Sequence, residues 1–284
     1  MNIKITADST CDLSKELIEK YEIEIIPLYV VVDGKAYKDT VEIQQTDIFN
    51  YVDNEVSKGA KMPSSSAVNS EDYADYFAKY ASDYDAVIHI SLSSDLSSTG
   101  QNARIAASEF NNVYVVDSKN LSTGSGLICI KARELANEGL SAKEIVEKLD
   151  ELTSKVDASF VIDRMDYLQK GGRCSAVLAI AAKLAKIKPM IQVKDGKMGV
   201  GKKYMGTFQF ALKKYVADKL SQRDDIDYSR IFITSGYCKK ETYDLVEEEV
   251  KKYGDFTEIH RTYAGCTVCT HCGPETIGIL FMTK

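Results

Sequence analysis

The chain has 284 residues, 44% hydrophobic and 27% charged, with a formal net charge of −6 and an isoelectric point near 5.3. This length and balance suit one large or two medium globular domains with ample core. The acidic balance, without any basic block, argues against nucleic-acid binding and against adhesion to anionic membranes.

The opening MNIKITADST lacks the basic-then-apolar pattern of a secretion signal. The longest apolar candidate, residues 176–187, is too short to span a bilayer and carries Lys183 and Lys186. A cytoplasmic protein without a transmembrane segment is expected. Seven cysteines, an odd number, fit reduced thiols better than a disulfide framework.

In chain order, residues 3–5 read as a short strand ended by Ala7-Asp8-Ser9-Thr10. Asp12 can cap a helix that carries Leu13, Leu17, Ile18 and Tyr21 on one face. Residues 24–32 are strongly β-prone, and Asp33-Gly34 is a turn signal. Pro63-Ser64-Ser65-Ser66 forms a serine loop before a helix over about 70–80. Residues 87–90 are a buried strand, followed by a loop dense in hydroxyls and a helix from near Thr99. A strand over 113–116 ends in Asp117-Ser118, and helices over about 122–137 and 141–152 follow. Strands alternating with helices argue a parallel sheet with helices on both faces, an N-terminal three-layer α/β/α domain.

The second half reads differently. Residues 158–162 are a strand, and Lys170-Gly171-Gly172-Arg173 opens an alanine-rich helix ended by Pro189. Residues 190–193, a turn at Asp195-Gly196, and the segment from Lys197 suggest antiparallel strands. A helix over about 207–222, a strand over 230–235, a helix over 241–252, a strand over 258–263, a cysteine-rich loop and a strand over 276–281 close the chain. This predicts a C-terminal α/β domain with a mixed, largely antiparallel sheet. The boundary falls near Lys155, giving domains 1–155 and 156–284.

The stretch VIHISLSSDLSSTGQNARIA, residues 87–106, holds most of the chemical interest. In an open α/β sheet, ligands sit just beyond the carboxyl ends of strands. A helix start offers unpaired N–H groups and a favourable dipole, and serines add short uncharged donors. Such a loop can hold a carboxylate or phosphate without a cation. An ordinary helix cap with solvated serines accounts for the same pattern equally well.

Six segments, TADSTCDL, SLSSDLSSTGQNA, VVDSKNLSTGSG, YLQKGGRCS, KIKPMIQVKDGK and HCGPETIG, occur in this order along nearly the whole chain. In them the chain resembles the DegV family of bacterial fatty-acid-binding proteins that partner a fatty acid kinase (the FakB type). The resemblance implies two domains with one long acyl chain buried between them, and a role in phospholipid metabolism. It implies that Ser65 and Ser66 of the first serine loop, and Ser97 and Ser98 of the second, bind the fatty-acid carboxylate together with His271. Arg173, Thr99 and Gly273 are the supporting candidates. Ser65 stands where the family has a carboxylate-binding threonine, and the hydroxyl is kept. Glu275 replaces the last glycine of a His-x-Gly-Pro-Gly motif, and Met205 stands where the family often has arginine. The implied partners are a long-chain fatty acid and a fatty acid kinase subunit. Transient membrane contact is compatible with this role, and no cofactor is expected.

Other motifs carry two readings each. Cys266, Cys269, His271 and Cys272 form C-x-x-C-x-H-C, a zinc-like or redox-like spacing. Only one cysteine knuckle is visible, so packed free thiols and no metal are expected. Arg173, after two glycines, can clamp an anion or pair with a carboxylate, and the structural role is the favoured one. Gly124-Ser125-Gly126 lacks the third glycine of a dinucleotide fingerprint, since Cys129 stands there. Asp8 and Asp117 suit helix caps better than magnesium ligands, and His89 suits a satisfied core position.

Two function classes follow. One is a carrier, not an enzyme, that buries a fatty acid and presents its carboxyl group to an ATP-dependent kinase. A tunnel suits it, because each buried methylene contributes roughly 0.8 kcal/mol. The alternative is a hydrolase of acyl esters using Ser97 with His271, although no G-x-S-x-G elbow surrounds the serine.

Overall fold

In a computed structural model of the chain, residues 1–174 and 187–284 are described. The alanine-rich helix expected after Arg173 lies outside them.

The first sheet has strand order β2-β1-β6-β7, built from β1 (Ile3–Asp8), β2 (Ile23–Ile26), β6 (Ala86–Ser91) and β7 (Val113–Asp117). All its pairings are parallel. The inner strand β6 is buried at every position, as both its faces are covered. Around it lie α1 (Lys15–Lys20), α3 (Ser70–Ala81), α4 (Thr99–Ala107), α5 (Thr123–Asn137) and α6 (Ala142–Leu152). The α1 cap is Ser14, which accepts from Leu17 N, and not Asp12 as expected.

The β-prone run 24–32 splits at Pro27. Proline has no N–H to continue a ladder, so the chain leaves the parallel sheet after Ile26. It then enters a small antiparallel sheet of order β4-β3-β5, made from β3 (Tyr29–Val32), β4 (Lys35–Lys38) and β5 (Ser64–Ser66). The expected serine loop 64–66 is therefore a strand, with Ser65 opposite Val30. Helix α2 (Gln45–Asn54) links β4 to this strand.

The third sheet is mixed, with order β10-β9-β8-β13-β11-β12. Its strands are β8 (Val156–Ile162), β9 (Ile187–Lys194), β10 (Lys197–Met205), β11 (Ile226–Ser235), β12 (Glu258–Tyr263) and β13 (Thr276–Thr283). All its pairings are antiparallel except β11 with β12. Pro189 lies inside β9, opposite Lys203, rather than ending a helix; β8 pairing stops beside it at Met190. Helix α7 (Asp166–Gly171) ends on the left-handed Gly172, so Gly171-Gly172 closes one helix in the described chain.

Side chains alternate across the third sheet. Val161, Ile277 and Ile279 face a core shared with α8 (Phe208–Leu220) and α9 (Lys240–Val250). Ala158, Phe232 and Leu280 face the other way and pack with Leu127, Ile128 and Ile130 of α5. Helix α5 thus lies between the two large sheets, which explains why it is apolar nearly all round. The cysteine-rich segment is not a loop but a helix, α10 (Cys266–Cys272), and all seven of its residues except Val268 are buried.

Candidate functional site

The C-terminal edge of the parallel sheet, the small sheet and α10 meet around an apolar cavity. Leu28, Leu92, Leu121, Met198 and Val268 form its greasy walls. Polar groups from five separate segments also line it: Thr10, Ser65, Ser97, Arg173, and the pair Thr267 and His271. A second compartment shares Leu121, Val268 and Cys272 with the first, and reaches Phe160 and Leu280 of the mixed sheet. A wider groove opens outside, between α2 and residues 237–239. Its wall includes Asn50, Asp53, Lys239 and Glu275, so an apolar chain would desolvate charges there for little gain.

Ser65 enters the cavity through strand alternation. Along β5, Ser64 and Ser66 are exposed while Ser65 turns inward. Its Oγ lies 2.7 Å from His271 Nε2. Thr267 and His271 are four residues apart on α10 and so share the face toward the cavity. Burial, reinforced by the nearby Arg173 charge, pushes the His271 imidazole down to about 4, so the ring is neutral at physiological pH. With its proton on Nε2, the ring donates to Ser65 and leaves the serine proton for a ligand.

Arg173 lines the cavity and donates to Gly171 O at 2.8 Å. Among the described residues no carboxylate stands within ion-pair distance of it, contrary to the ion-pairing role favoured from sequence. Ser97 also lines the cavity, and its Oγ accepts from Thr99 N at 3.2 Å.

The remaining site candidates fall elsewhere. Ser66 and Ser98 are exposed and do not line the cavity. Thr99 is fully buried and bonds Tyr73, whose hydroxyl donates to Asp8. Gly273 ends α10 at φ 76°, and a Cβ there would stand 2.7 Å from the Tyr167 ring, so its role is close packing. Met205 is exposed at the end of β10, and Glu275 faces the outer groove.

Two site residues escaped the sequence reading. Thr10 and Thr267 line the cavity, and their buried hydroxyls have no partner among the described residues. Thr10 lies within TADSTCDL and Thr267 within the cysteine motif, but neither motif indicates which hydroxyl faces inward.

Asp8 stands at the N-cap position of the 3-10 turn Ser9–Cys11, but its side chain does not cap it; it accepts from Leu92 N at 2.8 Å and ties the serine loop to β1. Asp117 likewise braces backbone, accepting from Lys119 N at 2.8 Å. His89 is a core residue, bonded through Nδ1 to Thr6. The Cys266 and Cys269 thiols donate to the Ile43 and Ala264 carbonyls, and burial pushes Cys266 up to about 12. Among the described residues no three metal-ligating side chains cluster, and no helix is long and apolar enough to cross a membrane.

The chain was compared with known proteins. A family profile described as an uncharacterised protein of the DegV family matches residues 2–284. A fatty acid-binding protein of Thermotoga maritima is 33% identical, with 98% of this chain and 96% of that protein covered. The structure of a fatty-acid-binding DegV family protein from Thermus thermophilus superposes with a TM-score of 0.89 at 28% identity, covering all of both chains. A stearic acid-binding protein from Eubacterium ventriosum gives a TM-score of 0.82 at 29% identity, over 99% of this chain and 98% of that one.

Proposed function

Since the chain belongs to the DegV family, we propose that it is a carrier of one long-chain fatty acid. The observation that supports this most is the apolar cavity whose lining also carries the hydrogen-bonded pair Ser65 and His271 and the Arg173 guanidinium. The acyl chain lies along Leu28, Leu121 and Val268 and continues past Cys272 into the second compartment, between units 1–155 and 156–284. At roughly 0.8 kcal/mol per methylene, the walls supply most of the affinity. The carboxylate meets the hydroxyls of Ser65, Ser97, Thr10 and Thr267, with His271 behind Ser65 and the Arg173 guanidinium providing charge.

Donors of this kind orient a carboxylate without enclosing it in ion pairs. That suits a carrier whose cargo reacts while bound, and we assign the acceptor role in acyl-phosphate formation to the cargo's carboxyl group, with a separate ATP-dependent kinase as partner. Held in one orientation, the carboxylate oxygen is ready for phosphoryl transfer.

The ester-hydrolase alternative moves from Ser97 to Ser65, because Ser65 is the hydroxyl bonded to His271. An imidazole held near 4 is a weak base at neutral pH, and among the described residues no carboxylate pairs with His271 to complete a triad. The carrier reading is therefore the stronger.

Organic extraction and mass spectrometry of the purified protein test it. One equivalent of a long-chain fatty acid is expected. An empty protein that also binds no added palmitate in calorimetry would overturn the reading.

A further inference from the structure

Helix α10 carries Thr267 and His271, and its first N–H groups point away from the cavity into a buried acidic pair. Gly265 N donates to Asp12 Oδ1 at 2.8 Å. Cys266 N donates to Asp39 Oδ1 at 2.7 Å, and Thr267 N to Asp39 Oδ2 at 3.3 Å. Both carboxylates come from the N-terminal segment; Asp39 is fully buried and Asp12 is 5% exposed.

Asp39 also ties in the opposite wall. The Ser9 hydroxyl donates to Asp39 Oδ2 at 2.9 Å and accepts from Leu28 N at 3.1 Å. Asp39 N donates to Leu28 O at 2.8 Å. One carboxylate thus joins the turn bearing Thr10, the segment bearing Leu28 and the helix bearing Thr267 and His271. All four of those residues line the cavity. The fit is close, since a Cβ on Gly265 would stand 3.2 Å from Asp12 Oδ1 and 3.3 Å and 3.4 Å from the two Asp39 oxygens.

We propose that Asp39 and Asp12 are positioning residues for the carboxylate end of the cavity, gripping the first turn of α10 and thereby fixing Thr267 and His271 against the ligand. The physical reason is that buried carboxyl groups, charged or protonated, and buried N–H groups are each costly to leave unpaired. Together they hold α10 to one placement. His271, one helical turn beyond Thr267, moves with that first turn. The inference rests on the fatty-acid reading above.

The test compares wild type with Asp39→Asn, Gly265→Ala and Tyr215→Phe. Asparagine keeps the shape of Asp39 but turns one acceptor oxygen into a donor facing other donors. Alanine keeps both carboxylates and presses the turn away from them. Tyr215→Phe is the control. It removes a hydroxyl that donates to Ser159 O and accepts from Ile279 N, in the core of the mixed sheet. Palmitate affinity is measured by calorimetry, the His271 ring resonance by proton NMR, and the melting temperature in parallel.

Asp39→Asn and Gly265→Ala are each expected to lose about tenfold in palmitate affinity and to shift the His271 resonance. Tyr215→Phe is expected to melt lower with affinity and resonance unchanged. If Asp39→Asn does not fold, Gly265→Ala carries the comparison. Wild-type affinity and an unmoved resonance in the folded variants would overturn the inference, as would an equal loss of affinity in Tyr215→Phe. A wild type that binds no palmitate overturns the fatty-acid reading instead, and the His271 shift still reports on positioning.

Discussion

Ser65 and His271 stand 206 residues apart in the chain, and their Oγ and Nε2 atoms are 2.7 Å apart in the fold. The serine arrives on an inward position of a short edge strand and the histidine on the inner face of a short helix. Burial and the nearby Arg173 charge keep the imidazole unprotonated, so the pair forms a neutral hydrogen-bonding unit in the lining of an apolar cavity.

His271 is expected to titrate near pH 4 in the empty protein, below the ordinary value of 6.5. Because the folded state binds this proton less readily than the unfolded chain, its contribution to stability is whole above about pH 6.5. That contribution is lost as pH falls toward 4. A bound carboxylate adds negative charge beside the ring and raises the value. Proton NMR of the ring with and without palmitate checks this, and an unchanged titration would remove His271 from the head-group site.

Ser65→Ala and Ser97→Ala are each expected to weaken palmitate binding about tenfold to a hundredfold, since a hydrogen bond to a charged group is worth roughly 1.5 to 3 kcal/mol. Arg173→Gln falls in the same range or below, because its guanidinium is solvent-exposed. Acyl-phosphate formation with a suitable kinase is expected to suffer more than binding. Wild-type affinity in both serine variants would place the carboxylate elsewhere.

Burial raises Asp12 from 3.8 to about 8, offset only in part by the Ser122 hydroxyl and Gly265 N–H, while the Asp39 charge adds to the rise. The native state therefore keeps a proton that the unfolded chain releases near pH 4. Stability from this group falls as pH rises through that window and levels off above about 8. His271 acts in the opposite direction below 6.5, so the clean window is pH 6.5 to 8. There the wild type is expected to lose up to about 1.4 kcal/mol per pH unit, and Asp12→Asn to lose less. Parallel slopes in denaturant titrations of the two proteins would contradict the assignment.

Strand–helix alternation in the first half of the sequence was enough to indicate a parallel sheet, and the turn at Asp195-Gly196 enough to indicate antiparallel pairing after it. The local signals that misled were each overruled by a longer-range contact. Asp12 has the chemistry of a cap, but Gly265 and Ser122 claim its carboxylate. Residues 64–66 look like a loop, but their backbone completes a ladder with β3. The cysteine segment looks like a knuckle, but its thiols find carbonyls and its N–H groups find Asp12 and Asp39.

The sequence by itself determined the residue types available to a carboxylate and the strand–helix alternation of the first half, because these depend on local composition and periodicity; the resemblance to the family rested on six motifs in order. It could not determine which hydroxyl faces the ligand. Strand alternation separates Ser65 from Ser66 only once β5 is paired, and Thr10 and Thr267 come to line one cavity only when α10 docks on Asp39. Arg173 likewise turned from an expected ion-pair partner into a cavity-lining cation through the fold alone. Those outcomes depend on contacts between residues far apart in the chain, which tertiary packing alone creates.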